Sequence, residues 1–167
     1  MRIYTIGHSN VPTEKIINLL RDHSIEILVD VRSQPYSRYS PQFNREDFQR
    51  ILSQECIEYA FAGEWLGGRP KDPSCYEDGR VSYERMETKD WYRRGIARLL
   101  EIAAEKRTAI MCAEEDPRHC HRHNLVAKTL MEEAVEVLHI RGDGRLEDAW
   151  EVGGMNCRAT QSGLMSW

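Results

Sequence analysis

The sequence is short of lysine: of its 23 basic residues only 5 are lysine, and the other 18 are arginine. It has no apolar run approaching the roughly 20 residues a bilayer-crossing helix needs, so no membrane span or membrane partner is expected. The first residues, Met1 to Gly7, turn polar too soon for a secretory leader, and a cytoplasmic location is expected. There is no CxxC pair, and the five cysteines (56, 75, 112, 120 and 157) are an odd, scattered set, which excludes a simple disulfide framework. Basic charge is not in excess: the net charge is −4, which argues against indiscriminate binding to nucleic acid while leaving room for a local basic patch. Internal repeats and low-complexity segments are absent as well.

What is present describes a globular chain. Hydrophobic residues make up 41% and charged residues 30% of 167 residues, enough for one domain with a proper core and too few for two ordinary ones. Arg2 to Ile6 reads as a strand ending at Gly7. Thr13 can cap a helix whose apolar face is Ile16, Ile17, Leu19 and Leu20. Ile25 to Val31 is a nearly continuous apolar run, as in a strand covered on both sides. A polar loop from Arg32 to Phe43 follows. Asn44 is placed to cap a helix with Asp47 at its third position, with Phe48, Ile51 and Leu52 buried. Ile57 to Phe61 is a third strand. Residues 63–82 read as a long Gly- and Pro-rich connection, of the kind that is usually functional or mobile. A helix over Trp91 to Ala104, a strand over Thr108 to Cys112, a helix over His121 to Glu133 and a strand over Val135 to Ile140 complete the pattern. Arg141 to Gly144 is a turn, Glu147 to Val152 a short helix, and the rest a tail.

Strand and helix alternate throughout. The expected fold is therefore a single α/β domain over residues 1–140, Rossmann-like, with a mostly parallel sheet of about five strands and helices on both faces. Residues 141–167 form a C-terminal extension. Ligands of such sheets bind outside the carboxyl ends of the strands. Gly7-His8-Ser9-Asn10, Asp30-Val31-Arg32-Ser33 and the run from Cys112 to Arg122 all begin where a strand ends, so they are expected on one rim.

The run Cys112 to Arg122 carries the most chemistry. Cys120 stands beside Arg118, His119, His121 and Arg122, groups that lower a thiol pKa. It is the first choice for a reactive thiol, with Cys112 second; both residue types are also common as small buried hydrophobes. Cys112 and Arg118 match a Cys-x5-Arg phosphate-loop spacing, but Glu114, Glu115 and Asp116 place carboxylates where such a loop needs bare N–H groups. Cys112, Cys120, His119, His121 and His123 have ligand types that suit zinc, yet three histidines at alternate positions do not share one helix face. No metal and no cofactor are therefore expected.

On the second segment, Asp30 can brace a loop as readily as it can act. Arg32 and Arg38, with Ser33, Tyr36 and Ser37, resemble an anion-recognition loop. Tyr36, Tyr39 and Phe43 have the chemistry to stack on a base, or to form a lid's own small core. On the first, His8 titrates near neutrality and is a general acid or base in waiting, with Ser9 beside it. Trp65-Leu66-Gly67-Gly68-Arg69 reads as a cover in which glycine permits positive φ or close backbone approach.

In combination and order, these residues resemble the widespread prokaryotic family called domain of unknown function 488. The resemblance rests on Thr5-Ile6-Gly7-His8-Ser9, Val29-Asp30-Val31-Arg32-Ser33 with Pro35 and Ser37-Arg38, Tyr59, Leu66-Gly67-Gly68, Cys112-Ala113-Glu114 with Pro117, Cys120-His121-Arg122, and His139-Ile140. It spans about residues 2 to 140. It implies an α/β fold with charged motifs on three segments, adds Glu114 to the candidate residues, and implies no substrate.

Three functions remain open from the sequence. The first is an enzyme acting on an anionic substrate, a phosphate- or nucleotide-containing molecule or a nucleic-acid component. In it Arg32, Arg38 and Arg122 bind the anion, Cys120 or Cys112 reacts, and His8, Glu114 or His121 transfers protons. The second is a non-catalytic nucleotide or nucleic-acid binding module. The third is a metal-dependent hydrolase.

Overall fold

The central strands are apolar on both faces, so the sheet they build must be covered twice. The computed structural model describes residues 1–154; Cys157 and the rest of the expected tail lie outside the described residues. The strands are β1 (Arg2–Gly7), β2 (Ile27–Asp30), β3 (Glu58–Phe61), a small ribbon β4 (Tyr76–Glu77) and β5 (Arg80–Val81), β6 (Thr108–Cys112), β7 (Glu136–Ile140) and β8 (Leu146–Asp148). The helices are α1 (Thr13–Asp22), α2 (Arg45–Gln54), α3 (Gly63–Leu66), α4 (Tyr83–Glu87), α5 (Asp90–Glu105), α6 (Lys128–Glu132) and α7 (Ala149–Val152). The main sheet runs β3-β2-β6-β1-β7-β8; the first five are parallel and β8 is antiparallel to β7.

Alternate residues of each strand feed opposite cores. Tyr4, Ile6, Leu28, Ala109 and Met111 meet the apolar faces of α1 and α2, including Ile16, Leu20, Phe48 and Leu52. Ile3, Val29, Ile110 and Val137 meet Ile96 and Leu99 of α5 and Leu125, Val126 and Leu130 on the other side. Each such fully buried side chain contributes about 1.5–3 kcal/mol relative to exposure. The mixed α/β, Rossmann-like architecture expected from the sequence is the one found.

Several local expectations are revised. The sheet has six strands, because Leu146–Asp148 pairs with Leu138–Ile140 before the short helix begins at Ala149. Thr13 does not cap α1: Pro12 holds the cap position in extended conformation, and no side chain bonds the free N–H groups. Asn44 does hold the cap position of α2, but its Oδ1 accepts from the backbone N–H of Ser37 instead. Residues 63–82 are not structureless; they contain α3 and the β4–β5 ribbon. The helix expected from His121 to Glu133 opens as a π-helical turn, Arg122–Ala127, before tightening into α6. Such turns recur at functional sites. No helix among the described residues is long and apolar enough to cross a membrane.

Candidate functional site

Strand β6 leads to Leu125, Val126 and α6 on one face, while its two neighbours, β1 and β2, lead to α1 and α2 on the other. Its carboxyl end is therefore flanked on both sides by a change of face, the place where doubly wound sheets open a crevice. In register, Gly7 lies beside Cys112 and Asp30 beside Met111. The three polar segments do share one rim.

At the floor of that crevice are two thiols and an imidazole. Cys112 Sγ lies 3.6 Å from His121 Nδ1, and Cys120 Sγ lies 4.0 Å from the same nitrogen. The three ligand-type atoms are all within 4.8 Å of one another, and both sulfurs are buried. The opposite ring nitrogen, Nε2, is 2.9 Å from the carbonyl oxygen of Val31. A carbonyl only accepts, so Nε2 carries the proton in the neutral ring and Nδ1 turns its lone pair toward the sulfurs.

The two thiols are not equivalent. Cys112 is held below the ordinary thiol value because the Cys120 thiol donates to it; burial opposes this, and the N–H groups of Ala113 and Glu114 assist. Cys120 is pushed up to about 12 by that same hydrogen bond and by burial. The sequence ranks Cys120 first on its charged neighbours; in the fold the ionised form is favoured at Cys112. The reason is spatial: Arg118 is exposed and paired with Asp116, so its charge is spent away from the thiol.

Asp30, Arg32 and His8 form a brace under the rim. Asp30, fully buried, accepts from Arg32 Nε at 2.9 Å and Nη2 at 2.7 Å, and from the Tyr59 hydroxyl at 2.6 Å. Arg32 Nη2 also donates to the Phe43 carbonyl, and Nη1 reaches His8 Nε2 at 3.2 Å. His8 Nδ1 donates to the Ser9 carbonyl, and its ring stacks on Phe43 at 4.4 Å between centroids. Burial, with the Arg32 charge also acting, drops His8 to about 4. In this geometry His8 is a neutral ring that positions Arg32, with both nitrogens engaged, and Phe43 belongs to the core rather than to a stacking surface.

Arg122 is likewise fully buried. It donates to the carbonyls of Glu114 and Glu115 and to Thr5 Oγ1, pinning the loop after β6 instead of facing the crevice. That loop crosses Gly7 so closely that a Cβ there would lie 1.7 Å from the Glu114 carbonyl oxygen.

The crevice, about 320 Å³, is lined by Arg32, Ser33, Gln34, Gly68, Arg69, Tyr83, Ala113, Glu114 and His119 around Cys112, Cys120 and His121. It shares Ser33, Gln34 and Arg69 with an adjoining basin bearing Tyr36, Arg45, Glu64 and Lys71. Of the residues expected to bind an anion, Arg32, Ser33 and Tyr36 line these spaces. Tyr36 is tied to Glu46 by its hydroxyl, and Ser37 Oγ accepts from the N–H groups of Tyr39 and Ser40. Arg38 is exposed and lines neither space, nor does Ser9, a positive-φ residue whose N–H bonds Ala113.

Arg69 and Tyr83 were not among the expected site residues. A Gly-Gly-Arg sequence was the available signal for Arg69: Gly68 lies so close to the His121 ring that a Cβ would be 2.8 Å from its Cγ. Tyr83 had no signal, because only the fold of residues 63–87 carries it to the rim.

Comparison with curated proteins and with solved structures finds no match. A family model does match, over residues 12–129, a span that includes the Asp30–Arg32 brace and the Cys112–Arg122 segment and begins after His8. The chain belongs to the family described as Domain of unknown function DUF488.

Proposed function

We propose that this protein is an enzyme acting on an anionic, phosphate- or nucleotide-containing molecule, with the crevice at the end of β6 as its working site. The observation that carries this reading is the juxtaposition of a reactive floor, Cys112, Cys120 and His121, with Arg32 and Arg69 in one crevice. The adjoining basin supports an extended anion: Arg45, Arg69 and Lys71 outnumber the single carboxylate of Glu64 there. Asp30 holds Arg32 in place at little entropic cost on binding. In this reading Arg32 and Arg69 hold the substrate, Cys112 and His121 meet its reacting part, and Glu114 and His119 stand at the mouth as polar or proton-carrying groups.

The test is calorimetric titration with inorganic pyrophosphate and nucleoside mono- and diphosphates at low and high salt, followed by turnover assays on those that bind. Arg69→Ala is expected to weaken binding about tenfold or more, as loss of a charge-assisted contact does, with the melting temperature unchanged. Anions that do not bind, or that bind independently of Arg69, sink the reading. A second reading, a nucleotide-binding module without turnover, is favoured by the half-exposed Tyr36 ring beside the basic basin. It predicts that Cys112→Ala leaves both binding and its biological readout intact.

A further inference from the structure

We propose that Cys112, Cys120 and His121 form a metal centre for zinc or a chemically similar divalent ion, with its fourth position open to the crevice. This deepens the reading above, since it rests on the same crevice as the working site.

The geometry supports it in four ways. First, a tetrahedral zinc with bonds of about 2.3 Å to sulfur and about 2.0–2.1 Å to nitrogen separates its sulfur and nitrogen ligands by about 3.6 Å. The observed Cys112 Sγ to His121 Nδ1 and Cys120 Sγ to His121 Nδ1 distances are 3.6 and 4.0 Å. Second, the imidazole is already oriented as a ligand: Nε2 is anchored on the Val31 carbonyl, the partner that fixes tautomer and ring plane in metal-bound histidines. Third, the Cys120 sulfur accepts the backbone N–H of Arg122 at 3.4 Å, a donor that suits a thiolate better than a thiol. Fourth, all three residues also line the crevice, so three protein ligands leave one coordination position facing Arg32, Arg69 and Glu114.

The charges also balance: two thiolates and a neutral imidazole cancel a divalent cation, so the loaded centre is neutral. The open position takes water or an oxygen of the bound anion, with Arg32 beside it. Closed structural zinc sites use four protein ligands, whereas three plus an open position is the arrangement of catalytic ones. Soft sulfur donors favour zinc over magnesium or calcium. The three residues have zinc-ligand chemistry, but the spacing Cys112-x7-Cys120-His121 matches no common zinc pattern, and their convergence shows only in the fold, where Arg122 pins the intervening loop.

The experiment uses the untagged chain purified under reducing conditions. Metal content is measured by plasma mass spectrometry, and Co²⁺ is then titrated into chelator-treated protein and followed by absorption. Expected are stoichiometric zinc, a near-ultraviolet thiolate-to-cobalt band, and visible bands of tetrahedral intensity. Cys112→Ser and Cys120→Ser should each weaken the thiolate band, and the double variant should abolish it. Cys75→Ser, a buried cysteine away from the cluster, should leave it unchanged. Circular dichroism of the apo variants shows that each is folded; if the serine variants do not fold, cadmium absorption of the native chain before and after selective alkylation of Cys112 gives the same answer. No thiolate band, with both thiols shown free by thiol titration, overturns the proposal, as does a band that survives the double variant. Arg69→Ala separates the two readings: it should weaken anion binding about tenfold or more and leave the cobalt spectrum intact. A cobalt site without anion binding removes the proposed function and keeps the metal centre; Arg69-dependent anion binding without a cobalt site does the reverse.

Discussion

Asp30 grips Arg32 with both carboxylate oxygens, Oδ1 to Nε at 2.9 Å and Oδ2 to Nη2 at 2.7 Å, and neither side chain is more than 5% exposed. Removing one partner of a buried pair strands the other's charge. Asp30→Ala is therefore expected to destabilise the fold by about 3–5 kcal/mol. Tyr59→Phe, which removes only a neutral hydroxyl donor to the same carboxylate, should cost about 1–3 kcal/mol. Guanidinium unfolding of the two variants checks the order; equal losses would mean that the charge pair is not the dominant element of the brace.

A second expectation concerns close approach against backbone conformation. Gly7→Ala drives a Cβ into the Glu114 carbonyl, so the loop after β6 must move, at a cost of about 3 kcal/mol or more. Gly79→Ala meets no atom within 4 Å, but its φ of +74° costs about 1–2 kcal/mol in an L-residue. Thermal melts should rank Gly7→Ala well below Gly79→Ala, and the reverse ranking would contradict the loop's position.

Buried histidines set a pH dependence. His8 is lowered to about 4 and His139 to about 2, burial being the main cause in each. The two ring nitrogens of His139 meet neutral partners, Thr5 Oγ1 at 2.7 Å and His123 Nδ1 at 3.0 Å, so the neutral ring accepts at one and donates at the other. Both folded values lie below the unfolded imidazole value of about 6.5, so the unfolded chain binds more protons in between. Stability is thus fully present above about pH 6.5 and falls with acid, by up to about 1.4 kcal/mol per pH unit for each ring. Urea midpoints compared at about pH 7.5 and pH 5 should show the loss; a flat profile would mean that neither ring is held neutral.

The three aromatic residues of the loop after β2 part company. Phe43 is fully buried between His8 and Phe48, at centroid distances of 4.4 and 5.0 Å. Phe43→Ala should cost about 3–5 kcal/mol. Tyr39 is 88% exposed, and Tyr39→Ala should change stability by no more than about 0.5 kcal/mol. Denaturant melts of both decide whether this segment is a packed loop or a free stacking surface.

Much of the fold was legible in the residues. The two-sided apolar strands Ile27–Asp30 and Thr108–Cys112, and the apolar face of α1, appear in the order a parallel sheet requires, because burial on two faces leaves an unbroken hydrophobic run. The sixth strand was not legible: Leu146–Asp148 is three residues long, with only Leu146 apolar, and it exists because the open edge of β7 offers it a ladder. The π-helical turn was not legible either, since its residues carry an ordinary helical pattern.

From the sequence alone it followed that His8, Asp30–Arg32 and Cys112–Arg122 belong to one rim, since each begins where a strand ends and parallel strands end together. Which of them face the crevice was settled only by tertiary structure. Arg122 is spent inside on the carbonyls of Glu114 and Glu115, and His8 and Asp30 on Arg32, because buried polar groups must find partners before they can serve a ligand. Arg69 and Tyr83, from a segment with no strand of the main sheet, complete the wall. Cys112 and Cys120, eight positions apart, come to share one imidazole nitrogen because the intervening loop is pinned by a buried guanidinium and passes over a residue with no side chain.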